Sequence, residues 1–326
     1  MLADRYGRIA TDLRVSLTDR CNLRCTYCMP AEGLAWLPKP ELLTDDELVR
    51  LVGVAVGLGV TDVRLTGGEP LVRPGVVGLV RRLAQLRPRP ALSLTTNGLG
   101  LARTAGALRE AGLDRVNVSL DTVDRARYFA LTRRDRLPDV LAGLGAAAAA
   151  GLTPVKVNAV LMRGVNDGDA VELLRFCLDA GYQLRFIEQM PLDPQHAWDR
   201  SQMMTAEEIL DRLGAVWTLT PAEFRGSAPA ETWLVDGGPA VVGVIGSVTR
   251  PFCASCDRVR LTADGQVRNC LFARDESDLR AALRAGATDT ELADRWLAAV
   301  VGKRAGHGID DPAFLQPDRP MSAIGG

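Results

Sequence analysis

The sequence carries no surplus of positive charge: Lys and Arg number 39 against 40 Asp and Glu, a formal net charge of -1. That balance excludes a general nucleic-acid binder, which depends on a basic excess. No stretch reaches the ~18 apolar residues of a membrane span. The longest candidate, residues 140–152, is short and mostly Ala and Gly, and reads as a packed helix. The first eight residues carry charges where a signal peptide has its apolar core, so a cytoplasmic protein with no membrane association is expected. Histidine is scarce, and neither His196 nor His307 is close in sequence to the cysteines of the second half. In a reducing cytosol seven cysteines point to metal ligands rather than disulfides. With 326 residues, 47% of them hydrophobic, one large domain plus a smaller one is expected.

Three of those cysteines stand together near the front: Cys21, Cys25 and Cys28, spaced C-x3-C-x2-C. Thiolates bind soft metals, and an iron–sulfur cluster needs several of them on one short loop. A four-iron cluster usually takes four cysteines, so three would leave one iron open to a substrate or cofactor. Spacing alone also admits a zinc site or chance proximity.

From residue 10 to about 190, short β-rich runs alternate with longer helical ones. Strands are expected near 11–17, 61–66, 91–96, 115–120, 154–161 and 184–189, and helices near 44–58, 74–86, 101–111, 138–150 and 168–180. Thr44 and Glu47 form a capping box at the first helix. This alternation implies a parallel sheet with helices outside. Six strands suit a partial (β/α)6 barrel, with a doubly wound open sheet as the competitor. Each apolar run ends in polar or glycine residues, as at Thr66-Gly-Gly-Glu-Pro70, Thr95-Thr-Asn-Gly98 and Glu188-Gln-Met190. Such ends collect the chemistry of α/β folds. Gly67 and Gly68 let the backbone approach a ligand closely, and Glu69 supplies an acceptor.

The second half reads differently. A helix opens at Thr205, short β-like runs follow near 215–219, 232–235 and 241–246, and then Cys253, Cys256 and Cys270 stand as C-x2-C-x13-C. That is a strong metal pattern, most often zinc, but no fourth ligand is close. Cys177 falls inside a helical pattern and reads as a buried free thiol. The second trio therefore also looks three-coordinate. The expected domains are 1–190, the partial barrel, and 191–326, a smaller α+β domain carrying the second site.

The first trio with its aromatic Tyr27 resembles the signature of the radical S-adenosylmethionine (SAM) enzymes. With Gly-Gly-Glu-Pro, Thr-Thr-Asn-Gly, the C-x2-C-Asp-Arg-x-Arg-Leu run, the third cysteine and Gly325-Gly326, nearly the full chain resembles the molybdenum-cofactor biosynthesis protein A family, the GTP 3′,8-cyclases. The resemblance implies two [4Fe-4S] clusters, one on Cys21, Cys25 and Cys28 and one on Cys253, Cys256 and Cys270. It places Tyr27, Gly68, Glu69, Ser119 and Met190 on SAM. It places Arg14, Arg64, Thr95, Lys156, Arg258, Val259 and Arg260 on GTP, with Arg258 and Arg260 among the catalytic residues and the double-glycine tail in the active site. It implies that a radical made from SAM takes the 3′ hydrogen of GTP and that C3′ then bonds to C8. It also implies an electron donor, a downstream cyclic pyranopterin monophosphate synthase and a homodimer. A nucleoside triphosphate brings about four negative charges, for which arginine's fixed cationic fork is suited. A peptide-modifying radical SAM maturase would carry more cysteines in the second half. A non-catalytic zinc protein would hold zinc at the second trio.

Overall fold

The computed structural model describes residues 1–222 and 225–325. Six strands and six helices build the first half. The strands are β1 (Asp12–Ser16), β2 (Asp62–Thr66), β3 (Ala91–Thr96), β4 (Arg115–Ser119), β5 (Lys156–Leu161) and β6 (Gln183–Glu188). The helices are α1 (Asp45–Gly57), α2 (Val76–Ala84), α3 (Leu101–Glu110), α4 (Arg125–Thr132), α5 (Leu137–Ala149) and α6 (Ala170–Asp179). Strand pattern finds all six strands within about two residues, but it omits α4. That helix is short and arginine-rich, with no strong apolar stripe, and its start is fixed by the Asp124 carboxylate accepting from Arg127 N–H at 2.7 Å. The Thr44–Glu47 capping box forms as expected, and a second one forms between Thr205 and Glu208.

The six strands lie in sequence order and all pair in parallel. A doubly wound sheet reverses its order at a switch point. No reversal occurs here, and the chain forms the partial barrel. Alternation sorts the side chains: Leu13 and Val15 of β1, and Val157, Ala159 and Leu161 of β5, join the apolar core. Arg14, Ser16, Lys156 and Asn158 take the opposite face.

The second half contains α7 (Ala206–Gly214), β7 (Leu219–Pro221), β8 (Glu231–Val235), β9 (Val241–Ile245), β10 (Arg258–Leu261), β11 (Gln266–Arg268), β12 (Ser277–Asp278), α8 (Leu279–Arg284), α9 (Asp289–Val301) and α10 (Met321–Ile324). The run expected at 215–219 starts later, because residues 215–217 finish the turn after α7. These strands form no sheet of their own. β10 adds in parallel beside β1, and β9 in parallel beside β6, so the second half extends both edges of the barrel sheet. Beyond them β11–β12 and β8–β7 continue antiparallel. A satellite core of Leu192, Met203, Val248, Phe272, Ile309 and Ile324 lies in this half. Glu188, at the end of β6, is fully buried and ties the parts together. It accepts from the N–H groups of Ala206, Val248 and Thr249 at 2.7, 2.7 and 2.8 Å, and from the Thr249 hydroxyl. No helix among the described residues is long and apolar enough to cross a membrane.

Candidate active site

The first trio occupies the loop that follows β1. Residues 66–69, at the end of β2, close against the stem of that loop. Gly68 N–H donates to Thr18 O at 2.7 Å and Glu69 N–H to Arg20 O at 2.8 Å. A Cβ on Gly67 would stand 2.3 Å from Thr18 O, and one on Gly68 2.4 Å from Arg20 O. The close approach expected of these glycines is therefore, in the first place, an approach to the cysteine loop itself. Glu69 is 1% exposed and accepts from Leu71 N–H, the Thr96 hydroxyl and Asn97 N–H at 3.0, 2.7 and 2.6 Å. Burial outweighs these bonds and pushes its carboxyl up to about 7. Tyr27 donates to Asp121 at 2.8 Å. Ser119 sits at the end of β4, in register with Asn158. Met190 lies half-buried against the satellite core.

All three thiols are free. Burial pushes Cys21, Cys25 and Cys28 up, Cys28 to about 12, and their mutual proximity adds to the rise at Cys25 and Cys28. Such a set gives up its protons to a metal rather than to water. Leu23 N–H and the Asn97 amide approach Cys21 Sγ at 3.5 and 3.8 Å, and Ser322 N–H hydrogen-bonds Cys28.

The second trio lies at the other end of the strands. Cys256 precedes β10, whose Arg258 is in register with Asp12 at the start of β1, whereas the first trio follows the end of β1. Five strand residues separate the two ends, about 16 Å. Cys253, Cys256 and Cys270 are free thiols that act on one another electrostatically. Burial pushes Cys253 up. At Cys256 the burial effect is overcome by the Lys303 and Arg258 cations, which bring the thiol below its ordinary value. His307 supplies no fourth ligand: its Nε2 donates to Ser247 O at 3.0 Å and its Nδ1 accepts from Ile309 N–H at 3.1 Å. Among the described residues no three His, Cys, Asp or Glu side chains are arranged to hold a single metal ion. A four-iron cluster binds each thiolate on a different iron, so each trio suits a cluster with one open iron.

Between the two ends the interior face is cationic. Arg14 is flanked in register by Arg64 on β2 and Arg260 on β10. Thr95 on β3 aligns with Asn117 on β4, and Asn117 with Lys156 on β5. Burial and mutual repulsion depress Arg14, Arg64 and Arg260, and bring Lys156 down to about 7. Burial works against the ionised Asp12 carboxylate, but Arg14, Arg64, Arg258 and Arg260 hold it at about 2. The Nε–H donors of Arg14 and Arg64 are buried without a hydrogen-bond partner, as are two acceptors, the side-chain oxygens of Asn117 and Asn158. Buried polar groups are rarely left so, and an interior that combines two unspent guanidinium N–H donors with the cations of Arg14, Arg64, Arg260 and Lys156 fits a polar, anionic ligand.

Arg258 stacks on Phe252 at 4.9 Å and donates to Ser227 O at 2.7 Å, while Arg260 donates to Gly325 O. Gly325 wedges into the mouth of the barrel, where a Cβ would stand 2.5 Å from Ser16 Oγ and 2.6 Å from Thr66 Cγ2. Gly326 lies outside the described residues. Val259 turns its side chain into the apolar core. Arg73 belongs to the scaffold: it pairs with Asp45 and donates to Leu17 O and Leu43 O. Sequence reading missed Arg115 and Arg185, which raise the positive potential at Lys156, and Arg8 and Lys303, which hold the second trio. Arg185 carries a local signal, an arginine inside an apolar strand. Arg8 and Lys303 carry none, being far from the cysteines in sequence.

A thiol trio on the loop after the first strand of a partial (β/α)6 barrel defines the class, a radical SAM fold. Residues 15–177 match the Radical SAM superfamily, and residues 182–309 match Molybdenum Cofactor Synthesis C. The fold resembles Streptococcus suis SuiB bound to S-adenosylmethionine (TM-score 0.62, 14% identity, covering 91% of this chain and 67% of that one). It also resembles anSMEcpe with bound AdoMet (TM-score 0.58, 14% identity, 91% and 81% covered). The chain is 67% identical to a GTP 3′,8-cyclase of Streptomyces coelicolor over 100% of its own length and 96% of that protein. It is 62% identical to GTP 3′,8-cyclase 2 of Mycobacterium tuberculosis, with 100% and 92% covered. The chain belongs to the GTP 3′,8-cyclase family.

Proposed function

We propose that this chain converts GTP to (8S)-3′,8-cyclo-7,8-dihydro-GTP, the first step of molybdenum cofactor biosynthesis. The observation that carries the reading is a cation-lined barrel interior with an incomplete thiolate set at each end, in a chain 67% identical to a GTP 3′,8-cyclase. Cys21, Cys25 and Cys28 hold one [4Fe-4S] cluster and Cys253, Cys256 and Cys270 the other. When bound, the cluster at the first trio would supply, with SAM, the radical chemistry at the 3′ position of GTP, and the cluster at the second trio would supply a Lewis-acidic site for the guanine.

The chain's own work is binding, orientation and exclusion of water. Arg14, Arg64, Lys156 and Arg260 line one interior and neutralise the triphosphate, with Thr95 beside them and Arg258 next to the second cluster. Val259 contributes only backbone. Tyr27, Gly68, Glu69, Ser119 and Met190 surround SAM. Gly325 and Arg260 close the mouth, which keeps C3′ near the radical and away from solvent. Residues 1–190 serve SAM and residues 191–326 complete the GTP site. An electron donor and an enzyme that consumes the product act with this protein in the cytosol.

The test is anaerobic. Protein reconstituted with iron and sulfide is reduced and given SAM with GTP, ATP, CTP or UTP in parallel, and 5′-deoxyadenosine and nucleotide loss are quantified. Deoxyadenosine formation matched by loss of GTP alone is expected. SAM cleavage with no nucleotide consumed would leave the radical SAM class and remove the substrate. No cleavage, in protein shown to hold eight irons, would remove the enzyme.

A further inference from the structure

The chain has only three lysines among its 39 basic residues. One of them, Lys303, is 4% exposed. Its Nζ donates to Cys256 O at 2.9 Å, to Arg258 O at 2.9 Å and approaches Cys256 Sγ at 3.4 Å. It forms no ion pair with a carboxylate among the described residues. A buried ammonium needs a counter-charge. Besides two carbonyl oxygens, the group that Lys303 contacts is the sulfur of Cys256, which becomes anionic as a metal-bound thiolate.

The position is braced from several sides. Lys303 leaves the end of α9 with its N–H on Val300 O at 3.0 Å, and Trp296 and Val300 of that helix are buried in the core. The Asn269 amide, next to Cys270, donates to Ala299 O at 2.8 Å. Arg8 donates to Cys253 O at 2.7 Å, to Ala305 O at 3.0 Å and to Arg304 O at 2.6 Å. Residues 299–305 are thus fastened to the neighbourhood of all three cysteines, with one ammonium delivered to one sulfur.

We propose that Lys303 is a positioning residue of the second cluster: its ammonium offsets the charge on the Cys256 thiolate, favours the cluster's reduced state and fixes Cys256 relative to Arg258. The inference rests on the reading that this trio holds a four-iron cluster. Three thiolates on a [4Fe-4S]2+ core carry a net charge of -1, and reduction makes it -2. A fixed cation beside one sulfur therefore favours reduction, and hydrogen bonds to cluster sulfurs act in the same sense.

The test is a redox titration followed by electron paramagnetic resonance on the full-length, two-cluster protein. The first cluster is recognised by its response to SAM and the second by its response to GTP. Lys303→Gln keeps donors near Cys256 and removes the charge. It is expected to make reduction of the GTP-responsive cluster at least tenfold less favourable, about 59 mV lower for one electron. The SAM-responsive cluster should titrate as in the unmutated protein. Lys303→Arg keeps the charge and is expected to stay close to the unmutated midpoint. Eight irons with an unshifted GTP-responsive midpoint in Lys303→Gln would overturn the proposal, as would equal shifts in both variants. If Lys303→Gln loses four irons, retention of eight in Lys303→Arg supports a requirement for charge, and loss in both overturns it. Four irons in the unmutated protein would instead remove the two-cluster reading.

Discussion

Binding of GTP should take up a proton, and Lys156 is the group that takes it. Lys156 shares the barrel interior with Arg64, Arg115 and Arg185, and burial followed by their repulsion brings its ammonium down to about 7. Guanidiniums keep their protons in proteins, so the lysine is the cation that yields. In the ligand-free protein at pH 8, a group with a pKa near 7 is about 90% neutral. A triphosphate alongside restores the cation and raises the pKa again. Binding at pH 8 should therefore take up about 0.9 proton, and log Kd should rise by up to about one per pH unit above 7. The sign follows from the depressed lysine: low pH supplies the charged form that the ligand needs, and high pH removes it. The γ-phosphate of GTP, with a pKa of about 6, contributes little at pH 8. Calorimetric titrations in buffers of different ionisation enthalpy, without SAM, count the protons directly. Lys156→Met should bind GTP with little uptake and with a flatter pH dependence. Uptake at pH 8 that is equal in the two proteins would refute the assignment of Lys156 to the triphosphate.

Other consequences are separable. Cys25→Ala should abolish 5′-deoxyadenosine formation altogether, and any product above background would count against the first-cluster assignment. Gly68→Ala places a methyl group 2.4 Å from Arg20 O; it should displace the cysteine loop and abolish the SAM response of the first cluster while the GTP response of the second survives. An unchanged SAM response would show that the loop can shift at no cost. Glu188→Ala strands three buried N–H groups. At ~1–3 kcal/mol per orphaned buried group it should lower the unfolding midpoint of the anaerobic protein by several degrees, and a midpoint within one degree of the unmutated value would contradict that role.

Much of the barrel was legible because two periodicities alternate without interruption. Runs such as residues 91–96 and 115–119 alternate with amphipathic helices, and their order in space is their order in the chain. The two thiol trios were legible because ligand spacing is local. The rest depends on contacts distant in sequence. Nothing near residue 303 announces a cysteine 47 positions earlier, and nothing near Arg8 announces Cys253, since chain separation hides what the fold brings together. Arg115 and Arg185 had a local signal, a cation in a strand. It becomes readable only when register shows that Arg185 stands beside Asn158 and Arg115 beside Ser93. The glycines of residues 67–68 were read as a close approach to a ligand, and the close approach that the structure shows is to the chain's own cysteine loop.

The sheet also explains why the two halves of the sequence act as one site. Arg258 and Arg260 reach the interior because β10 pairs with β1, in register with Asp12 and Arg14, not because a separate module swings over the barrel. On the other edge β9 joins β6, and Glu188 fastens that junction to α7 and to residues 248–249. The family matches divide between residues 177 and 182, so β6 itself falls with the second half. Cations contributed from both halves stand close enough to depress one another, and Asp12 offsets them only in part. The positive charge that remains favours an anionic ligand on this face. The triphosphate of the proposed substrate meets that requirement, and the cations that would receive it come from strands of both halves.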